Sequence, residues 1–195
     1  MNSSDFSLQS YLKCSINIEP NFSTKNEKFV KCMTKIASCW FDIGFVRWYH
    51  IKEIRSILIN QKMLKEFSIH LTKNLKPMAY MKDSGEIYLS LGALLFKSNM
   101  ATVKVLSHEL AHVWLSQQDY YPSLKALNKE FKQRYNELEN VNLLSPIELF
   151  AMIVSIDIME SIKESLKGNL RKRINRFIDL ENEKIKEIKD TLLNL

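Results

Sequence analysis

The sequence predicts an α+β fold, mostly helical, with a small three-stranded sheet upstream of one apolar helix. Three observations predict it. Only four glycines and four prolines interrupt 195 residues, which favours long helices over a sandwich of many short strands. Apolar residues recur at helical spacing over most of the chain. Strand-like segments are confined to residues 67–90. Helices and strands are thus segregated along the chain, unlike the regular alternation of a doubly wound fold.

The elements follow in order. Thr24-Lys25-Asn26-Glu27 fits a capping box, and Phe29, Val30, Met33, Ile36, Ala37 and Trp40 follow at helical spacing, with Gly44 near that helix's end. A second helical pattern covers residues 51–66 through Ile51, Ile54, Leu58 and Leu64. Residues 67–72 alternate apolar and polar side chains, the period of a strand. Residues 77–81 and 86–90 are two more short strands, and Asp83 and Gly85 between them suit a tight hairpin. Ser98 or Asn99 can cap a helix that runs through Val103, Leu106, Leu110 and Val113 to about Gln117. Pro122 opens another, to about Glu139. Ser145-Pro146 opens a strongly apolar one, and Gly168 separates it from a long amphipathic C-terminal helix. One domain accounts for residues 1–195: N-terminal helices at about 24–66, the sheet at about 67–91, a helical core at about 98–165 and the last helix at about 168–195.

Composition narrows the class. With 46% hydrophobic and 26% charged residues, the chain is neither disordered nor fibrous. Residues 1–12 lack the basic segment and apolar run of a signal peptide. The longest apolar stretch, 149–159, is broken by Ser155 and Asp157, short of the roughly 18–20 residues that span a bilayer. Cys14, Cys32 and Cys39 are odd in number and lack Cys-x-x-Cys spacing, so they read as free thiols and exclude a zinc ribbon. These features imply a cytoplasmic protein with no membrane partner. The net charge is +6, and Lys163, Lys167, Arg171, Lys172, Arg173 and Arg176 cluster near the C-terminus. Glu160, Glu164, Asp179, Glu181 and Glu183 surround them, which reads as a solvated helix face, with nucleic acid as the alternative partner. Neither a glycine-rich phosphate loop nor a G-x-S-x-G elbow occurs.

One motif carries chemistry: His108-Glu109-Leu110-Ala111-His112. On a helix, residues four apart project from one face about one turn apart, so both imidazoles reach one metal ion. Glu109 is displaced by about 100° and can take a proton from the metal-activated water without ligating the metal. Val105, Leu106, Leu110, Ala111 and Val113 make this helix apolar, and three ionisable groups buried there without a shared partner are costly. His50 and His70 stand without ligand spacing and read as ordinary residues.

Ile87-Tyr88-Leu89-Ser90 followed by Val105-Leu106-Ser107-His108-Glu109-Leu110-Ala111-His112-Val113 resembles the zincin metallopeptidases. The resemblance covers residues 67–160 at the level of motifs and is closest to compact cytoplasmic gluzincin-like proteins, such as the ImmA/IrrE and SprT-like groups. It implies a single catalytic Zn2+ and a peptide or protein substrate, which adds as a strand to an edge strand just upstream of the motif helix. Gln118, six residues after His112, excludes the metzincin pattern, and the zinc ribbon of many SprT-like proteins is missing. In gluzincins a glutamate on a later helix is the third ligand, and Glu148 in Ser145-Pro146-Ile147-Glu148 is the candidate. The same four residues also fit a capping box, in which Glu148 only satisfies the helix start. Helical angles put Glu148 on the side of Ala151, Met152 and Ser155, opposite Asp157, Glu160 and Glu164. Glu160, Asp119 and Asp157 are the alternative ligands. Met152 stands where thermolysin-like enzymes carry an acid that orients a histidine. Tyr120, Tyr121 and Tyr135 are candidate oxyanion donors that spacing does not separate. The function expected is zinc-dependent hydrolysis of peptide bonds with Glu109 as general base. The alternative is a non-catalytic helical protein whose basic C-terminal helix binds nucleic acid.

Overall fold

The computed structural model describes residues 6–20, 27–38, 44–76, 78–82, 85–95 and 98–195, with the side chains of 44–46 excepted. Helices α1 (Leu8–Leu12), α2 (Glu27–Ala37) and α3 (Gly44–Asn60) precede strands β1 (Ser68–Thr72), β2 (Ala79–Lys82) and β3 (Glu86–Ser90). Helices α4 (Leu91–Leu95), α5 (Asn99–Ser116), α6 (Tyr121–Arg134), α7 (Pro146–Lys163) and α8 (Gly168–Leu193) follow. The expected mostly helical α+β architecture is therefore observed. Thr24, Lys25, Asn26, Cys39, Trp40, Pro77, Asp83 and Ser84 lie outside the described residues.

Glu27 opens α2, where its charge meets the positive end of the helix dipole. Phe29, Val30, Met33, Ile36 and Ala37 are all buried, as their spacing requires. Gly44 does not close this helix; it opens α3. Helix α3 also stops at Asn60, well before residue 66. Lys62 adopts a left-handed φ of 55°, and the N–H groups of Lys62 and Met63 donate to the carbonyls of Ile59 and Leu58, each at 2.9 Å. This is a Schellman stop made without glycine, so the apolar spacing gave no sign of it.

The sheet order is β1-β3-β2, with β1 parallel and β2 antiparallel to β3. Gly85, at φ 79°, closes the β2–β3 turn, in a conformation that other L-residues avoid. Register puts His70, Tyr88 and Tyr80 in one row on one face, where their rings stack at centroid distances of 4.9 and 5.2 Å. Ile87 and Leu89 point to the other face and are buried. One expectation fails here. Residues 87–90 are not an edge strand, because β3 is paired on both sides. The edge strand that packs against α5 is β2.

Ser98, not Asn99, caps α5, its Oγ accepting from the N–H of Ala101 at 3.2 Å. Val103, Leu106, Leu110, Ala111 and Val113 are wholly buried, and α5 packs against α2, α7, α8 and the sheet. Truncating Leu106 to alanine is expected to cost about 2–5 kcal/mol. Helix α6 ends at Arg134 rather than near Glu139, and successive turns carry residues 136–144. Asn136, Asn140 and Asn142 occupy that segment, and asparagine favours turns over helix interiors. In α8, Ile174, Ile178, Glu181, Ile185, Ile188 and Leu192 form the buried stripe. Among the described residues, no helix is long and apolar enough to cross a membrane.

Candidate metal centre

Helix α5 carries His108, Glu109 and His112, and the first turn of α7 carries Glu148. The two helices pack side by side, bringing the four residues together from separate parts of the chain. His108 Nε2 and His112 Nε2 lie 3.1 Å apart. Glu148 Oε2 is 3.3 Å from His108 Nε2, and Glu148 Oε1 is 3.4 Å from His112 Nε2. A tetrahedron with bonds of about 2.0–2.1 Å has edges of about 3.3–3.4 Å. The His–His separation and the two His–Glu148 separations, one to each carboxylate oxygen, lie close to those edges, and the three residues can hold a metal ion.

The competing capping reading of Glu148 does not match the geometry. Ser145 Oγ makes no cap bond to its helix; it donates to the carbonyl of Asn142 at 2.7 Å. An N–H at the start of α7, that of Ile147, is met by Asn128 Oδ1 of α6 at 3.2 Å. Glu148 is thus released from the helix start and turned toward the histidines. Ala151, Met152 and Ser155, on the same side of α7, are all buried, as the helical angles predict.

Charge in the cluster is divided unevenly. Burial pushes His108 down, but the hydrogen bond and charge of Glu148 outweigh it, and His108 ends above its ordinary value. Burial pushes Glu148 up, yet the two imidazoles hold it well below the usual carboxylate range. Glu109 moves the other way. Burial raises it, and the opposing influence of His112 and His108 does not cancel that rise. Its Oε2 is buried with no hydrogen-bond partner in the protein. A desolvated carboxylate with a free oxygen beside three converging donors has the attributes of a general base.

A cavity of about 380 Å3 opens onto His108, Glu109 and Glu148. Met78 and Ala79 of the β2 edge line one part of it, and Lys104, Glu181 and Lys184 another. Glu181 corrects the solvated-face reading of α8. It is 5% exposed and paired with Lys104 at 2.5 Å and Lys184 at 3.2 Å. Burial opposes its ionisation, but Lys104 and Lys184 keep Glu181 below its ordinary value. Glu181 and Lys184 share α8 at i, i+3, but Lys104 lies on α5, so spacing along one helix does not join the three. A charge inside the apolar stripe of α8 was the available signal.

Other candidates fall elsewhere. Asp119 is exposed, and Glu160 pairs with Lys163. Asp157, on the side of α7 opposite Glu148, is half-buried. Its Oδ2 has no partner, and burial with the charge of Glu160 raises it to about 6. Tyr120, Tyr121 and Tyr135 do not line the cavity; Tyr120 stacks on Phe6 and Tyr135 packs on Phe131. His50 has a partner set that its isolation in sequence did not suggest. Cys32, His50 and Glu53 bring donor atoms within 4.8 Å of one another. The i, i+3 spacing of His50 and Glu53 on α3 was visible, but their meeting with Cys32 on α2 was not.

No family model, curated protein or solved structure matches the chain.

Proposed function

We propose that the chain is a zinc metallopeptidase of the zincin type, with His108, His112 and Glu148 holding the ion and Glu109 acting as general base. The observation that carries this reading is the buried, unpartnered Glu109 Oε2 beside two imidazoles and a carboxylate that converge within about 3.1–3.4 Å. Zinc held there supplies Lewis-acid polarisation and an acidified water, the chemistry peptide hydrolysis needs. Glu109 accepts the proton of the attacking water and returns it to the leaving amine. Its raised proton affinity suits both transfers.

The substrate backbone binds along β2. The N–H of Ser90 donates to the carbonyl of Met78 at 3.0 Å, so in antiparallel register Tyr80 and Lys82 face β3 while Ala79 and Met81 present their backbone groups outward. A peptide added at that edge runs past the zinc ligands. The nucleic-acid reading has less support, since Arg171 is paired with Glu164 and Lys163 with Glu160.

Zinc content by elemental analysis, with cleavage of unfolded proteins and peptide libraries, tests this reading. The zinc-loaded chain should cleave, and Glu109→Gln should retain zinc while losing roughly 10²–10⁴-fold in rate. A stoichiometrically loaded wild type that cleaves nothing in a broad panel would overturn it.

A further inference from the structure

We propose that Cys32, His50 and Glu53 form a second divalent-metal site, of the zinc class, that clamps α2 to α3. Glu53 Oε2 is the meeting point. It lies 3.2 Å from Cys32 Sγ and 3.1 Å from His50 Nδ1. With Zn–S near 2.3 Å and Zn–N and Zn–O near 2.0 Å, the corresponding tetrahedral edges are about 3.5 and 3.3 Å. Both observed separations fall within about 0.3 Å of those edges.

The cluster is also held by packing and by a backbone contact. Tyr49 packs edge-on against the His50 ring at 5.6 Å, and Cys32 Sγ contacts the carbonyl of His50 at 3.4 Å. Cys32 is buried, whereas the Glu53 side chain is 37% exposed, so a cation has a path in from the Glu53 side. Without metal, the thiol and imidazole protons both point at one carboxylate oxygen. A divalent ion takes their place: the thiol releases its proton to solvent and forms an S–metal bond, and the imidazole moves its proton to Nε2 and donates the Nδ1 lone pair.

Donor chemistry selects the ion. Thiolate and imidazole disfavour Mg2+ and Ca2+, which take oxygen ligands, and favour Zn2+ or Co2+. Thiolate and carboxylate together neutralise a divalent charge, which suits a half-buried clamp. The two-histidine, one-glutamate set on α5 and α7 leaves one positive charge for chemistry instead. Furthermore, the buried unpartnered carboxylate oxygens among the described residues belong to Glu109 and Asp157, on α5 and α7, and none accompanies Cys32.

Titration of the chelator-stripped full chain with Co2+ tests the proposal. Two equivalents should bind, one of them producing a near-ultraviolet sulfur-to-cobalt charge-transfer band. His108→Ala/His112→Ala should lose one equivalent and keep the band. Cys32→Ser should lose the band and keep the other equivalent, and His50→Ala and Glu53→Gln should each weaken the sulfur-bound equivalent at least tenfold. Far-ultraviolet circular dichroism checks that each variant folds. A wild type without the band, or a band that survives in Cys32→Ser, overturns the proposal. Should Cys32→Ser not fold, unchanged affinity of the sulfur-bound equivalent in both His50→Ala and Glu53→Gln overturns it equally.

Discussion

The α5–α7 cluster and the α2–α3 cluster each gather three donor side chains from two packed helices, but only the first has an idle acid beside it. His108, His112 and Glu148 sit next to the buried free oxygen of Glu109. Cys32, His50 and Glu53 use their only carboxylate as the shared acceptor of both neighbours. Burial lifts Cys32 to about 12, helped by its hydrogen bond to Glu53, while His50 and Cys32 hold Glu53 low. Convergence of donors marks a place where a cation fits. A neighbouring carboxylate left unsatisfied marks a place where a proton can be moved.

The largest effect that separates the clusters is expected from Glu109→Gln. Peptide hydrolysis should fall by roughly 10²–10⁴-fold with zinc content unchanged, measured by rate assay and elemental analysis on one preparation. Full activity in this variant would remove the distinction between the clusters. Next comes Glu148→Gln, which removes an anionic ligand oxygen but should leave α7 intact, because Ser145 and Glu148 form no capping pair. Zinc affinity should drop by roughly tenfold or more in competition with a chelating dye, with the thermal midpoint of the metal-free protein nearly unchanged. Unaltered affinity would transfer the third-ligand role away from Glu148.

A smaller effect is expected from Asp157, an unsatisfied acid with no ligand neighbours. Its folded-state value, near 6, lies above its ordinary 3.8. The folded protein therefore holds this proton more tightly than the unfolded chain, and stability falls as pH rises between those values. Asp157→Asn should stabilise the protein above pH 6 by about 1 kcal/mol after allowance for partial solvent exposure, and the gain should fade below pH 4. Thermal melts across that range measure it. Hydrolysis should be unaffected, since an idle carboxylate without converging donors has nothing to act upon.

Much of the fold was legible because its signals are local. Helical spacing identified the buried faces of α2, α5 and α7, and strand period with a turn-forming Gly85 located β2 and β3. Some bounds were missed where a stop carried no chemical mark, as at Lys62, others where the mark was present but outweighed, as at Asn136 after α6, and the five-residue helices α1 and α4 are too short for periodicity to announce. Within one helix, residue spacing sets relative direction, so His108 and His112 share a face and Glu109 is turned about 100° from His108 before any packing is known. Sequence by itself determined that much.

Packing decided the rest. Helical angles favoured an inward Glu148 over a capping one, but its meeting with the histidines depended on α7 lying along α5, with Asn128 of α6 taking an N–H at the start of α7. The central place of β3 depended on which edges β1 and β2 found. Cys32 joined His50 and Glu53, and Glu181 joined Lys104, only when separate helices docked. The periodicity of a helix says which side chains share its face, but not which other face will cover them. That is set by how all the apolar surfaces fill one core together.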